Sequence, residues 1–131
     1  MTKFFFYGSL REGGKNNYRI LGSDKFGTGK KLGTAKINGF DLYISNDTDW
    51  PIPTACPGKS TLVGEVWELD EQLESFMYRF ESGYLHQTVI TGFGPCVIFY
   101  NNIPEDCYYL RKGYYHAKNG DFVASIAQNS I

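Results

Sequence analysis

Four aromatic residues in a row, Phe4-Phe5-Phe6-Tyr7, stand near the start of the chain and run straight into Gly8-Ser9-Leu10. Apolar residues that do not alternate with polar ones describe a strand buried on both faces, so residues 3–8 are expected to be an interior strand. The run is far too short for a signal h-region or a membrane span, and no later stretch approaches a spanning length. Aromatics make up 17% of the 131 residues and are joined by 15 glycines, a mixture that suits strands and tight turns better than a helical bundle. That length fits one compact domain, residues 1–131.

The rest of the chain reads as more strands around one clear helix. A short helix is expected at Tyr18–Leu21, capped by Asn16 or Asn17. Strands are expected over Lys25–Ile37 and Phe40–Ser45 about an Asn38-Gly39 turn, followed by an irregular, proline-bearing loop over residues 46–60. Leu62–Leu69 returns to strand composition. Leu69, Leu73, Phe76, Met77 and Phe80 then share one helical face, which predicts a helix over 70–80 with Asp70 as N-cap and Gly83 as its stop. Strands at Leu85–Thr91 and Cys96–Asn101 about a Gly92–Pro95 turn, a strand at Tyr108–Tyr115 and a helix at Asp121–Ala127 complete the pattern. No β-α-β alternation is present. The expected class is α+β, a mixed, mostly antiparallel β-barrel with a few short helices.

The formal net charge of −1 makes no electrostatic case for nucleic acid or an anionic membrane. Cys56, Cys96 and Cys107 are odd in number and lack C-x-x-C spacing, which fits reduced thiols in a cytoplasmic protein better than a disulfide framework or a zinc site. His86 and His116 have no ligand partner at metal-binding spacing. Two places remain for chemistry. At Tyr7-Gly8-Ser9-Leu10, backbone N–H groups can converge on an anion, although an ordinary turn has the same sequence. Ser9 lacks the Gly-x-Ser-x-Gly elbow of a nucleophile. Glu81 leaves the apolar helix face at the negative end of the helix dipole. Desolvation and that dipole would both raise its pKa, unless the carboxylate simply turns to solvent. Glu65 reads as a structural or outward-facing residue.

In order along the chain, Phe6-Tyr7-Gly8-Ser9-Leu10-Arg11-Glu12-Gly13 with Asn17, Pro53-Thr54-Ala55, Gly64-Glu65-Val66, Phe80-Glu81-Ser82 and Gly120-Asp121-Phe122 together resemble the gamma-glutamylcyclotransferase-like (AIG2-like) family. Phe80-Glu81-Ser82 is similar to its gamma-glutamylamine branch, and the Trp50–Pro53 loop points the same way. The resemblance implies release of 5-oxoproline from a γ-glutamyl amide, with Glu81 as catalytic acid/base. It places substrate on Tyr7, Gly8, Ser9, Leu10 and Tyr84. It implies no metal or other cofactor, no nucleic-acid or membrane partner, and a monomer or small homo-oligomer. One departure stands out: the family's Tyr-x-Arg after the catalytic Glu is replaced here, with His86 or Gln87 where the Arg would be. A catalytically silent binding or regulatory module is the second reading.

Overall fold

The computed structural model describes residues 1–45, 51–102 and 114–129. Its strands are β1 (Thr2–Phe6), β2 (Gly29–Ile44), β3 (Pro53–Leu69), β4 (Leu85–Thr91), β5 (Gly94–Tyr100) and β6 (Tyr115–Ala117). Among the described residues there are also the α-helices α1 (Glu71–Phe80) and α2 (Phe122–Asn129) and a π-helical turn at Asn17–Leu21. The strands form one sheet in the order β4-β5-β1-β3-β2-β6. Only the β1–β5 pair is parallel; the other pairs are antiparallel. The sheet curls into a half-barrel. Phe40 of β2 meets Tyr100 of β5 edge-on at 5.8 Å although two strands separate them in the sheet.

The aromatic run at the start of the chain explains this layering. Successive strand side chains point to opposite faces. Phe5 and Tyr7 enter the core inside the curl with Leu42, Ile44, Leu62 and Val66. Phe4 and Phe6 enter a second core between the sheet and α1, with Leu69, Leu73 and Met77. β1 is therefore buried on both faces, as its sequence demands.

Helix α1 follows its periodicity. Asp70 Oδ1 accepts from the Leu73 N–H at 2.8 Å, while Oδ2 accepts from Thr28 N–H at 2.9 Å, tying the helix start to the approach to β2. Those N–H donors hold the Asp70 carboxyl below its usual pKa. The stop is not Gly83. Glu81 itself is the C-cap, at φ −100° and ψ 26°.

Several boundaries differ from expectation. Asn38-Gly39 is not a reversal but an irregularity inside the single strand β2. Gly39, at φ +95°, supplies a kink that lets β2 continue along one partner. Opposite it, β3 runs from Pro57, paired with Phe40, to Thr61, paired with Asn38, and Asp41 Oδ1 accepts from Ser60 N–H. Much of the expected 46–60 loop is thus strand. Its prolines are tolerated because Pro53 begins β3 and Pro57 sits at the irregularity. Between β4 and β5 the turn is shorter than expected, with Gly94 already in strand. The π-turn replaces the helix expected at Tyr18–Leu21, and Asn16 makes no side-chain cap there. β6 begins at Tyr115, the last residue of the strand expected over Tyr108–Tyr115; residues 108–113, Trp50 and Cys107 lie outside the described residues. Cys56 and Cys96 are buried and not disulfide-bonded. Among the described residues, no helix is long and apolar enough to cross a membrane.

Candidate active site

β1 ends at Phe6, and the chain folds into a loop whose carbonyls are engaged internally. Arg11 N–H donates to Gly8 O at 3.0 Å, Asn16 N–H to Ser9 O at 3.0 Å, and Gly14 N–H to Arg11 O at 2.8 Å. The Asn17 side chain donates to Leu10 O at 2.8 Å, and Asn16 Nδ2 donates to Ser9 Oγ at 2.8 Å. The donors are the complement. Among the described residues, the N–H groups of Gly8, Ser9 and Leu10 give a hydrogen bond to no acceptor. Successive N–H groups with no protein partner form a concavity suited to an anion. Glycine is required at two points: a Cβ on Gly8 would lie 2.6 Å from Pro53 Cγ, and one on Gly14 would overlap the Ser9 carbonyl.

A buried ionic network holds this loop from behind. Arg11, only 7% exposed, gives Nη1 to Asp121 Oδ1 at 2.7 Å and sets Nε 3.6 Å from Glu65 Oε2. Glu65 Oε1 accepts from Glu12 N–H at 2.8 Å and from Trp67 Nε1 at 3.1 Å. Glu65 is therefore a buried structural carboxylate rather than an outward-facing one. Three sequence segments far apart in the chain meet here to brace one turn.

Gly8, Ser9, Leu10, Glu81 and Tyr84 all line a single cavity of about 470 Å³. Glu81 reaches it because α1 stops there, its own N–H returning to the Met77 carbonyl at 2.9 Å. The carboxyl group is half-buried, and burial raises its pKa from 4.5 to about 7. Burial is the cause here; the helix-dipole contribution expected from sequence is not needed. Burial also raises the phenol pKa values of Tyr7 and Tyr84, and the nearby Glu81 charge raises both further. The three groups share one electrostatic neighbourhood.

Their roles differ. Tyr7 Oη donates to Phe99 O at 2.7 Å and accepts from Ala55 N–H at 3.2 Å, so its hydroxyl pins β1 to β5 and β3. Leu10 likewise sends its side chain into the second core and offers only its backbone. Tyr84 hydrogen-bonds through its hydroxyl with the buried Thr54. Neither histidine is placed to serve Ser9: His86 packs edge-on against Tyr78 and Phe99, His116 lies against Tyr43, and neither lines the cavity. Gln87 does not line it either, so neither substitute for the family arginine forms part of the cavity wall. Among the described residues, no group of three or more His, Cys, Asp and Glu is arranged to hold a metal ion.

The family described as "Gamma-glutamyl cyclotransferase, AIG2-like" matches residues 4–122, from the first core aromatic to the start of α2. The chain belongs to that family. A rat gamma-glutamylaminecyclotransferase is 31% identical over 83 residues, covering 62% of this chain and 55% of the relative, and its mouse counterpart matches to the same extent. The matched segment thus spans about half the length of those curated relatives. Among solved structures, an uncharacterised protein from Pyrococcus horikoshii superposes with a TM-score of 0.73 at 24% identity, covering 98% of this chain and 96% of that one. A mouse AIG2-like protein does so at 0.69 and 24%, covering 88% and 86%. At those identities the likeness speaks for the fold alone.

Asn16 lines the cavity although its sequence context does not assign it there, and Thr54 stands behind it as the partner of Tyr84. By residue type Asn16 reads as a helix cap. The better signal is the glycine pair at Gly13-Gly14 just before it, since so loose a segment needs side chains to hold it.

Proposed function

We propose that this family member is a cyclotransferase, cleaving a γ-glutamyl amide to 5-oxoproline and a free amine with Glu81 as proton carrier. The substrate α-amine attacks its own γ-carbonyl carbon. One C–N bond forms to close the five-membered ring and another C–N bond breaks to release the amine. Counted from the neutral α-amine, one proton leaves the α-nitrogen and one arrives on the departing nitrogen, so the atoms balance without water or an oxidant. Such ring closures gain effective molarities of about 10⁵–10⁸ M when the ends are correctly placed. The Gly8–Leu10 N–H groups would hold the α-carboxylate and fix that placement.

The observation that carries this reading is that the Glu81 carboxyl, its pKa raised by burial, and the Gly8–Leu10 turn line one cavity. A substrate α-ammonium has a pKa of roughly 7.7–8.0. Passing its proton to a carboxylate of pKa about 7 is uphill by only about 1.1 kcal/mol. An ordinary glutamate near 4.5 would face roughly 4.5 kcal/mol. Tyr84, beside Glu81, is the candidate donor to the tetrahedral oxyanion. The rat and mouse relatives favour a γ-glutamylamine as the substrate type. No step calls for a cofactor.

The test incubates the protein with γ-glutamyl-ε-lysine and, separately, with glutathione, and assays 5-oxoproline. Glu81→Gln should abolish product while the protein stays folded. Equal rates in wild type and variant would remove Glu81 from the mechanism. Binding without turnover of any γ-glutamyl compound would favour a silent binding module.

A further inference from the structure

Beside the active cavity, at the margin of the core beneath α1, three phenylalanine rings lie in a nearly parallel ladder. Phe26 and Phe76 stack with centroids 4.1 Å apart and planes at 17°, and Phe76 and Phe80 follow at 5.8 Å and 22°. They form a wall of a groove that Tyr18, Arg19 and Lys25 also line. Phe80 is 43% exposed and Tyr18 72% exposed. Phe26 and Phe76 are partly buried against the core, and the exposed Phe80 and Tyr18 extend them into an apolar surface of the kind that marks a binding site.

Two residues connect this groove to the chemistry: Phe80 and Asn16 line both the groove and the active cavity. Phe80 also directly precedes Glu81. If the glutamyl head sits at the Gly8–Leu10 cradle and Glu81 protonates the departing nitrogen, the leaving amine is released beside Phe80. The shared wall then leads its body into the groove. The groove's charge is one-sided, with Arg19 and Lys25 and no acidic side chain lining it. A leaving group with a cationic tail is repelled there, whereas a flat, uncharged ring finds faces to stack on.

We propose that the groove is the leaving-group subsite and selects γ-glutamyl amides of arylalkylamines over those of polyamines. This rests on the cyclotransferase reading for its geometry, because the proton carrier defines where the amine departs. One added ring stack corresponds to about tenfold in affinity.

Binding is measured by calorimetry on the Glu81→Gln protein with three ligands: the γ-glutamyl amides of methylamine, phenethylamine and putrescine. The phenethylamide should bind about tenfold tighter than the methylamide, and the putrescine amide no tighter than the methylamide. Tyr18→Ala should narrow the aromatic preference several-fold, and Arg19→Glu/Lys25→Glu should bring the putrescine amide above the methylamide. Equal binding of methyl and phenethyl amides, or an aromatic preference untouched by Tyr18→Ala, overturns the subsite. If no amide yields 5-oxoproline in wild type while the Gln variant still ranks the ligands as expected, the chemistry fails and the groove stands. Flat binding with normal turnover overturns the groove and leaves the chemistry standing.

Discussion

Glu81→Gln removes a charge that burial opposes while keeping the side chain's size, so it should stabilise the protein at alkaline pH even as it disables the proposed reaction. In the folded protein the carboxyl titrates near 7, against 4.5 when exposed. Between those values the folded state holds a proton that the unfolded chain has lost. Stability is therefore intact below the unfolded pKa and declines as pH rises through the folded one. Integrated, the loss is about 0.4 kcal/mol at pH 4.5, about 2 kcal/mol at pH 6 and about 3 kcal/mol at pH 8. Glutamine does not titrate, so the variant escapes this slope. Its amide adds only a pH-independent offset. Urea unfolding of both proteins from pH 4 to 8.5 should show the variant gaining about 3 kcal/mol on wild type across that range, or roughly 10 °C in Tm at the alkaline end. Parallel stability curves would refute the reasoning, as would a carbon-13 titration placing the Glu81 carboxyl near 4.5.

Three further outcomes follow from the same geometry. In the proposed reaction the complex carries one proton shared between Glu81 and the substrate amine, so kcat/KM should form a narrow bell with limbs near 7 and 8; a flat profile over pH 6–9 would contradict it. Tyr7→Phe leaves the Phe99 carbonyl and the Ala55 N–H without their buried partner and should cost about 2–4 kcal/mol in chemical denaturation, while Tyr84→Phe should cost less stability and more kcat. Arg11→Met removes the buried cation between Asp121 and Glu65, leaving Glu65 Oε2 with Lys31 Nζ at 3.9 Å, and should destabilise by about 3 kcal/mol, with part of the loss recovered in Arg11→Met/Glu65→Gln, read by urea unfolding.

Where local spacing carries the information, sequence and structure agree. The Leu73–Met77 periodicity with its Asp70 cap produces α1, and the unalternating Phe4–Tyr7 run produces a strand with a core on each face. Where a residue's conformation suits two outcomes, they part. Asn38-Gly39 supplies the positive φ of a hairpin turn and equally that of a kink, and the choice depends on whether β3 continues alongside. Asn16 and Asn17 are good caps by type, yet their amides serve Ser9 and Leu10, because the loop's oxygen acceptors hold them in place of a short helix.

Residue order alone determined that a strand ends in a glycine turn, that a helix ends at Glu81, and that the chain carries its family's motifs. It could not bring the two ends together. Glu81 and Gly8 are far apart in the chain and meet only because β1 lies beside β5 while α1 packs on the Phe4–Phe6 face, closing one cavity around both. A carboxyl's pKa follows from the atoms that exclude water around it, and those atoms come from elements that local sequence cannot position.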